Sequence, residues 1–147
     1  MDEYLKHQIL VSERHNTPLS LIIADFDLFS SVNDTFGHAV GDVILKNTTD
    51  AIVNCTRDGD VVFGYGGEEF VVILINPQGV GADFLAERIW QAVAALEIEA
   101  LAHTMRITVS AAGLQFFPGD IATMLLARAD EQLYKRKILE RNRTETA

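Results

Sequence analysis

Asp60-Val61-Val62-Phe63-Gly64-Tyr65-Gly66-Gly67-Glu68-Glu69-Phe70-Val71-Val72-Ile73-Leu74 is the stretch whose reading decides the fold. Two β-rich apolar runs flank Gly66-Gly67, and a Gly-Gly pair takes the positive φ angles that two-residue primed turns require. The stretch therefore reads as a β-hairpin. Glu68 and Glu69 follow the turn directly, and because strand side chains alternate, one should face a site and the other should face away. Carboxylates beside an apolar strand are costly to bury without a cation or a donor. Two readings are open at this point: a solvated hairpin tip, or one wall of a metal site.

A second stretch bears on that choice. Leu19-Ser20-Leu21-Ile22-Ile23-Ala24 is a short apolar strand that ends in Asp25-Phe26-Asp27. If it pairs beside the hairpin, Asp25 and Glu68 converge on one hard ion. Residues 29–36 then read as a short helix stopped by Gly37, and residues 40–55 as a longer one. Val40, Ile44, Thr48, Ala51, Ile52 and Cys55 form its buried stripe. Asp42 falls in the first turn of that helix, where a carboxylate complements the dipole.

Helices are also expected over residues 2–15 and 82–96. Residues 106–117 read as a strand pair or one long strand, broken at Ala111-Ala112-Gly113. Pro118-Gly119-Asp120 reads as a turn and N-cap opening a last helix through about Lys137. Residues 138–147 read as a polar tail of one domain spanning 1–147. No repeat or linker is visible. The order mixes β and α without strict βαβ alternation, which gives an α+β fold: a central sheet with helices over its faces.

Composition narrows the function. Hydrophobic residues make up 48% and charged residues 22%, a globular balance that excludes disorder. A formal net charge of -9 disfavours non-specific attraction to nucleic acid or anionic lipid. A nucleotide ligand would need a bound cation and a few placed basic groups. The single cysteine, Cys55, allows no internal disulfide and suggests a reducing, cytoplasmic setting. Apolar runs such as residues 70–75 fall far short of the roughly 20 residues that span a bilayer. Met1-Asp2-Glu3 is acidic where a secretion signal would be basic.

The motifs together resemble the GGDEF domain, the diguanylate cyclase family. Gly66-Gly67-Glu68-Glu69-Phe70 is the GGEEF form of its signature. Asp25-Phe26-Asp27-Leu28-Phe29, Asn33-Asp34, Gly37-His38 and Gly41-Asp42 match a second block. Ala129-Asp130, Leu133-Tyr134, Lys137 and Arg141-Asn142 match a third. The resemblance covers about residues 4 to 142, with the motifs in order.

The resemblance implies a five-stranded mixed sheet of the nucleotide-cyclase and polymerase-palm type, with a ferredoxin-like core. It implies condensation of two GTP into cyclic di-GMP and two pyrophosphates by a two-fold homodimer, with Mg²⁺, or Mn²⁺ in its place, as cofactor. Neither nucleic acid nor membrane would be a partner of the domain itself. Asp25, the main-chain carbonyl of Phe26, and Glu68 would hold the metal. Glu68 would accept the proton, with Glu69 as a second ligand.

By the same resemblance, Asn33 and Asp42 would read the guanine edge and His38 would contact the nucleotide. Lys137 and Arg141 would hold the triphosphate. Arg57 and Asp60, as Arg-x-x-Asp, would form an inhibitory product site with Arg88. The family's Asp-x-Leu-Thr segment would precede residue 2, so an output domain of a longer protein is expected. Two departures stand out: many members have lysine where this chain has Ser30, and arginine where it has Gly64. One lost charged hydrogen bond costs about 1.5–3 kcal/mol, which predicts a slower enzyme rather than an inactive one. The alternative is a weak or inactive domain that serves as a cyclic di-GMP or GTP receptor, or as a dimerisation module.

Overall fold

In chain order the elements are α1 (Asp2–His15), β1 (Leu19–Phe26), α2 (Phe29–Phe36), α3 (His38–Cys55), β2 (Val61–Gly64), β3 (Glu69–Ile75), α4 (Ala82–Ala94), β4 (Ile98–Ala100), β5 (His103–Met105), β6 (Val109–Gln115) and α5 (Ala122–Thr146). They come from a computed structural model that describes residues 1–27, 29–65, 68–75 and 81–146, without the side chains of 29–31 and 140–146. Leu28, Gly66, Gly67, residues 76–80 and Ala147 lie outside that description, and with them the expected Gly66-Gly67 turn.

The four-stranded sheet has the order β2-β3-β1-β6, and β4-β5 forms a separate hairpin. The α+β expectation holds, with two corrections. Every pairing among the described residues is antiparallel, and in place of one five-stranded sheet there are six strands, four in the main sheet and two in the separate hairpin. The hairpin register places Gly64 opposite Phe70, and the Tyr65 N–H donates to the Glu69 carbonyl at 2.8 Å.

All eight residues of β1 are buried because both faces of the sheet are covered. One face carries Ile22, Ala24, Phe26, Phe70, Val72 and Leu74 against α3 and α4. The other carries Leu19, Leu21, Ile23, Val71 and Ile73 against Leu5 and Ile9 of α1 and Leu125, Ala129 and Leu133 of α5. Strand alternation sends each hydrophobic set to its own core. Among the described residues no helix is long and apolar enough to cross a membrane.

Local chemistry explains where the elements depart from expectation. Gly37 sits at φ 90°, a conformation open to glycine, and it turns the chain from α2 straight into α3. The helix therefore starts at His38 rather than Val40, and no acid lies in its first turn. The dipole thus does not explain Asp42. The β4-β5 hairpin went unforeseen because Leu101 and Ala102 carry its positive φ angles, 46° and 69°, where a Gly or Asn signal is usual. Asp120 does not cap α5. Its carboxylate accepts from the Phe117 N–H at 2.9 Å and from Arg128 at 2.9 Å. Helix α5 runs on to Thr146, well past Lys137, so the expected polar tail is helical wherever it is described.

Strand β6 is continuous through Ala111-Ala112-Gly113. A Cβ at Gly113 would lie 2.6 Å from the Ala82 carbonyl carbon, so the first turn of α4 rests directly on this glycine. The obstacle is backbone and cannot swing aside. Gly113→Val is expected to destabilise the fold by about 2–3 kcal/mol, the range for overpacking, read as a lower urea midpoint at unchanged slope.

Candidate active site

The site forms where β1 leaves the sheet. Asp25 lies opposite Glu69 of β3 and Ser110 of β6, and side chains directly opposite in an antiparallel pair share a face. Asp25 is only 8% exposed. Its Oδ2 accepts from the Lys137 ammonium on α5, while Oδ1 is buried with no hydrogen-bond partner among the described residues. A buried carboxylate oxygen without a donor is costly, so this atom fits the place of a ligand to a cation.

The register corrects the simple alternation of the two glutamates. Glu69 is the first residue of β3 and shares the face of Asp25. Glu68 lies in the bend before the strand, where period-2 alternation does not apply. Its carbonyl accepts from the Phe26 N–H at 3.1 Å, which fixes it against the end of β1. Burial, then the charges of Asp25 and Asp130, push the Glu69 carboxyl above its ordinary value; Lys137 pulls it down, and Glu68 adds a smaller upward push. Four acids and one lysine thus share one electrostatic neighbourhood.

Asp27 plays another part. It accepts from Thr108 Oγ1 at 2.7 Å and from Ser110 Oγ at 2.9 Å, and its N–H donates to the Thr108 carbonyl at 2.9 Å. Of the two acids in Asp25-Phe26-Asp27, one is bound into the β1–β6 junction and the other is left for the site. Among the described residues no group of three or more His, Cys, Asp or Glu side chains could cage a metal. The expected donors, two carboxylates and a main-chain carbonyl, are not such a group.

The residues expected to read the nucleotide lie on α2 and α3. Asn33 is half-buried; His38, the first residue of α3, and Asp42 are exposed. The backbone of α5 continues through Arg141, whose side chain, like that of Ser30, lies outside the described residues. A groove of about 430 Å³ between α4, β6 and α5, spanned by the Arg136–Glu87 ion pair at 2.7 Å, contains none of these residues.

The expected inhibitory motif forms the turn between α3 and β2. The Arg57 N–H donates to Asp60 Oδ2 at 3.0 Å, and the Arg57 guanidinium lies 3.6 Å from the same oxygen. The Asp60 side chain is 1% exposed, and its Oδ1 has no partner among the described residues. Arg88 projects from α4 nearby: burial pushes the Cys55 thiol up, and the Arg88 charge partly offsets this. The half-exposed Arg57 side chain and exposed Arg88 therefore flank the end of α3.

The family described as "Diguanylate cyclase, GGDEF domain" matches residues 1–143. The chain belongs to the GGDEF family. It is 39% identical over 127 residues to diguanylate cyclase A of Treponema denticola, covering 85% of this chain and 34% of that protein. It is 36% identical over 146 residues to diguanylate cyclase DgcZ of Escherichia coli, covering 97% and 48%. The chain thus spans half or less of the length of these curated relatives.

Among solved structures, this GGDEF domain matches the GGDEF domain of DgcB from Caulobacter crescentus in complex with c-di-GMP. The TM-score is 0.86 at 27% identity, over 92% of this chain and 81% of that one. The active GGEEF domain of a diguanylate cyclase from Vibrio cholerae matches with a TM-score of 0.82 at 30% identity, covering 91% and 85%.

Sequence reasoning on this GGDEF domain did not give Asp130 or Asp27 a role, and it left Glu69's side of the sheet open. Only the β1–β3 register decides the last point. The division of labour at the end of β1 is testable. Asp27→Ala strips two hydroxyls of their acceptor and is expected to cost about 2 kcal/mol of stability. Asp25→Asn keeps an acceptor for Lys137 but gives up the ion pair; because it also removes a carboxylate charge that is buried with one oxygen unpartnered among the described residues, the two effects offset and stability should stay within about 1 kcal/mol of wild type. Urea denaturation of both variants measures the contrast.

Proposed function

We propose that this domain condenses two molecules of GTP into cyclic di-GMP and two pyrophosphates as one half of a two-fold dimer. The observation that carries the reading is the Asp25 carboxylate, buried at the end of β1 with Oδ1 unpartnered and Glu68, Glu69 and Lys137 around it. The oxygen-only donor set suits Mg²⁺ or Mn²⁺ and not a Cys/His zinc site. Asp25, the Phe26 carbonyl and Glu68 would hold the ion, with Glu69 as a further donor. Bound there, it would neutralise phosphate charge and lower the pKa of the attacking hydroxyl.

The protein's own groups do the rest. Asn33 and Asp42 accept from and donate to the guanine edge, which excludes adenine because its donors and acceptors are reversed. His38 lies beside the nucleotide. Lys137, already at the rim of the carboxylate cluster, and Arg141 one turn further along α5 hold the triphosphate. Glu68 takes the proton of the 3'-hydroxyl as its oxygen bonds to the α-phosphorus of the second GTP and pyrophosphate leaves. Each domain presents one GTP, so a symmetric product requires two facing domains. Such chemistry belongs in the cytoplasm, where GTP is available.

Arg57, Asp60 and Arg88 would bind the product and limit turnover. Two arginine forks suit phosphate and purine faces, and the closed Arg57–Asp60 turn holds one of them in place. The same residues support the second reading, a receptor that binds cyclic di-GMP without making it, for which Gly64 and Ser30 speak.

Incubation with GTP and Mg²⁺ separates the readings. Wild type should form cyclic di-GMP at a rate that rises faster than linearly with protein concentration, and Glu68→Ala should lose at least about 10²-fold. Product binding without turnover would leave the receptor, and neither would leave a dimerisation module. A Cβ at Gly64 meets nothing within 4 Å, so Gly64→Arg fits without strain and is expected to raise turnover about tenfold, measured as initial rate at saturating GTP.

A further inference from the structure

Gly41 is buried in α3 beneath the side chain of Asn33 from α2. A Cβ built on it would lie 1.9 Å from Asn33 Oδ1 and 3.0 Å from its Cγ, well inside contact distance. The two helices are folded to this approach by the turn at Gly37, whose N–H donates to the Asn33 carbonyl at 2.9 Å and whose carbonyl accepts from the Gly41 N–H at 3.2 Å.

The nature of the obstacle matters. At Gly113 an added Cβ meets backbone, but at Gly41 it meets the free end of a side chain that can rotate away. Folding therefore does not demand glycine at 41, and no positive φ demands it either. A glycine in a helix interior is less favourable than alanine. What the missing Cβ secures is the position of one carboxamide.

We infer that Gly41 is a positioning residue for guanine recognition: its bare α-carbon is the seat that holds the Asn33 carboxamide in its base-reading orientation. This rests on the nucleotide reading of Asn33 given above. With alanine at 41, Asn33 must take another rotamer. Its donor and acceptor then leave the guanine edge, while the neighbouring Asp42 keeps its place on the helix.

The test measures binding of 3'-deoxy-GTP and 3'-deoxy-ATP, which lack the attacking hydroxyl, by calorimetry with Mg²⁺. Wild type, Gly41→Ala, Asn33→Ala and the double variant are compared, with thermal unfolding of each. Gly41→Ala should unfold at or above the wild-type temperature, yet lower the guanine-to-adenine affinity ratio about tenfold, the effect of one lost hydrogen bond. Asn33→Ala should lower it similarly, and the double variant should fall no further, because the two changes act through one group.

A Gly41→Ala protein that keeps the wild-type ratio while Asn33→Ala loses it overturns the inference and leaves the nucleotide reading standing. A further drop in the double variant, or a marked fall in unfolding temperature for Gly41→Ala, also overturns it. A wild type without guanine preference, or one that Asn33→Ala leaves unchanged, removes the nucleotide reading and the inference with it.

Discussion

A charged group at the end of a strand enclosed on both faces must find compensation, and the functional end of this domain is arranged around that need. Asp25 is the charged residue of β1, and the rest of the strand feeds two hydrophobic cores. Lys137 compensates one carboxylate oxygen. Across the register from Asp25 stands Glu69, which feels the charges of Asp25, Asp130 and Glu68. Burial, and then the surplus of neighbouring acids, make Glu69 hold its proton more readily. A perturbed carboxyl set among other acids marks a functional site more often than a structural one, and here the structural acid, Asp27, is separately accounted for by Thr108 and Ser110.

The same principle orders the second cluster. The Asp60 side chain is buried, with one oxygen committed to the Arg57 turn and the other without a partner among the described residues, so this motif too carries an acceptor left open beside arginines. Two such places lie at opposite ends of the route from β1 through α3 to β2, and under the proposed function the first would serve chemistry and the second its control. Gly64 and Ser30 are the points at which the resemblance predicts basic residues that this chain does not carry. Gly64 is exposed, and a Cβ there would meet nothing within 4 Å.

Much of this was legible in the sequence because local signals agreed with global ones. The apolar run before Asp25 and the helical stripes each had one reading, the two runs flanking Gly66-Gly67 read as paired strands, and Gly37 marked the break between two helices. What stayed hidden depended on contacts distant in sequence. Glu69's face follows from the β1–β3 register, and Asp27's role from hydroxyls about 80 positions away. Gly41 stood in the motif as a letter, and only the packing of α2 on α3 shows why a side chain there would displace Asn33. The β4-β5 hairpin gave no warning because Leu101 and Ala102 hold the angles that glycine usually marks.

The claim on which the rest stands is that Asp25 supplies an oxygen to a divalent cation. Anomalous diffraction from a crystal soaked in Mn²⁺ and 3'-deoxy-GTP tests it most directly. A peak within about 2.5 Å of Asp25 Oδ1 that is also in contact with Glu68 is predicted from normal metal–oxygen distances. An occupied nucleotide with its metal bound elsewhere, and Asp25 still paired only to Lys137, would contradict the account.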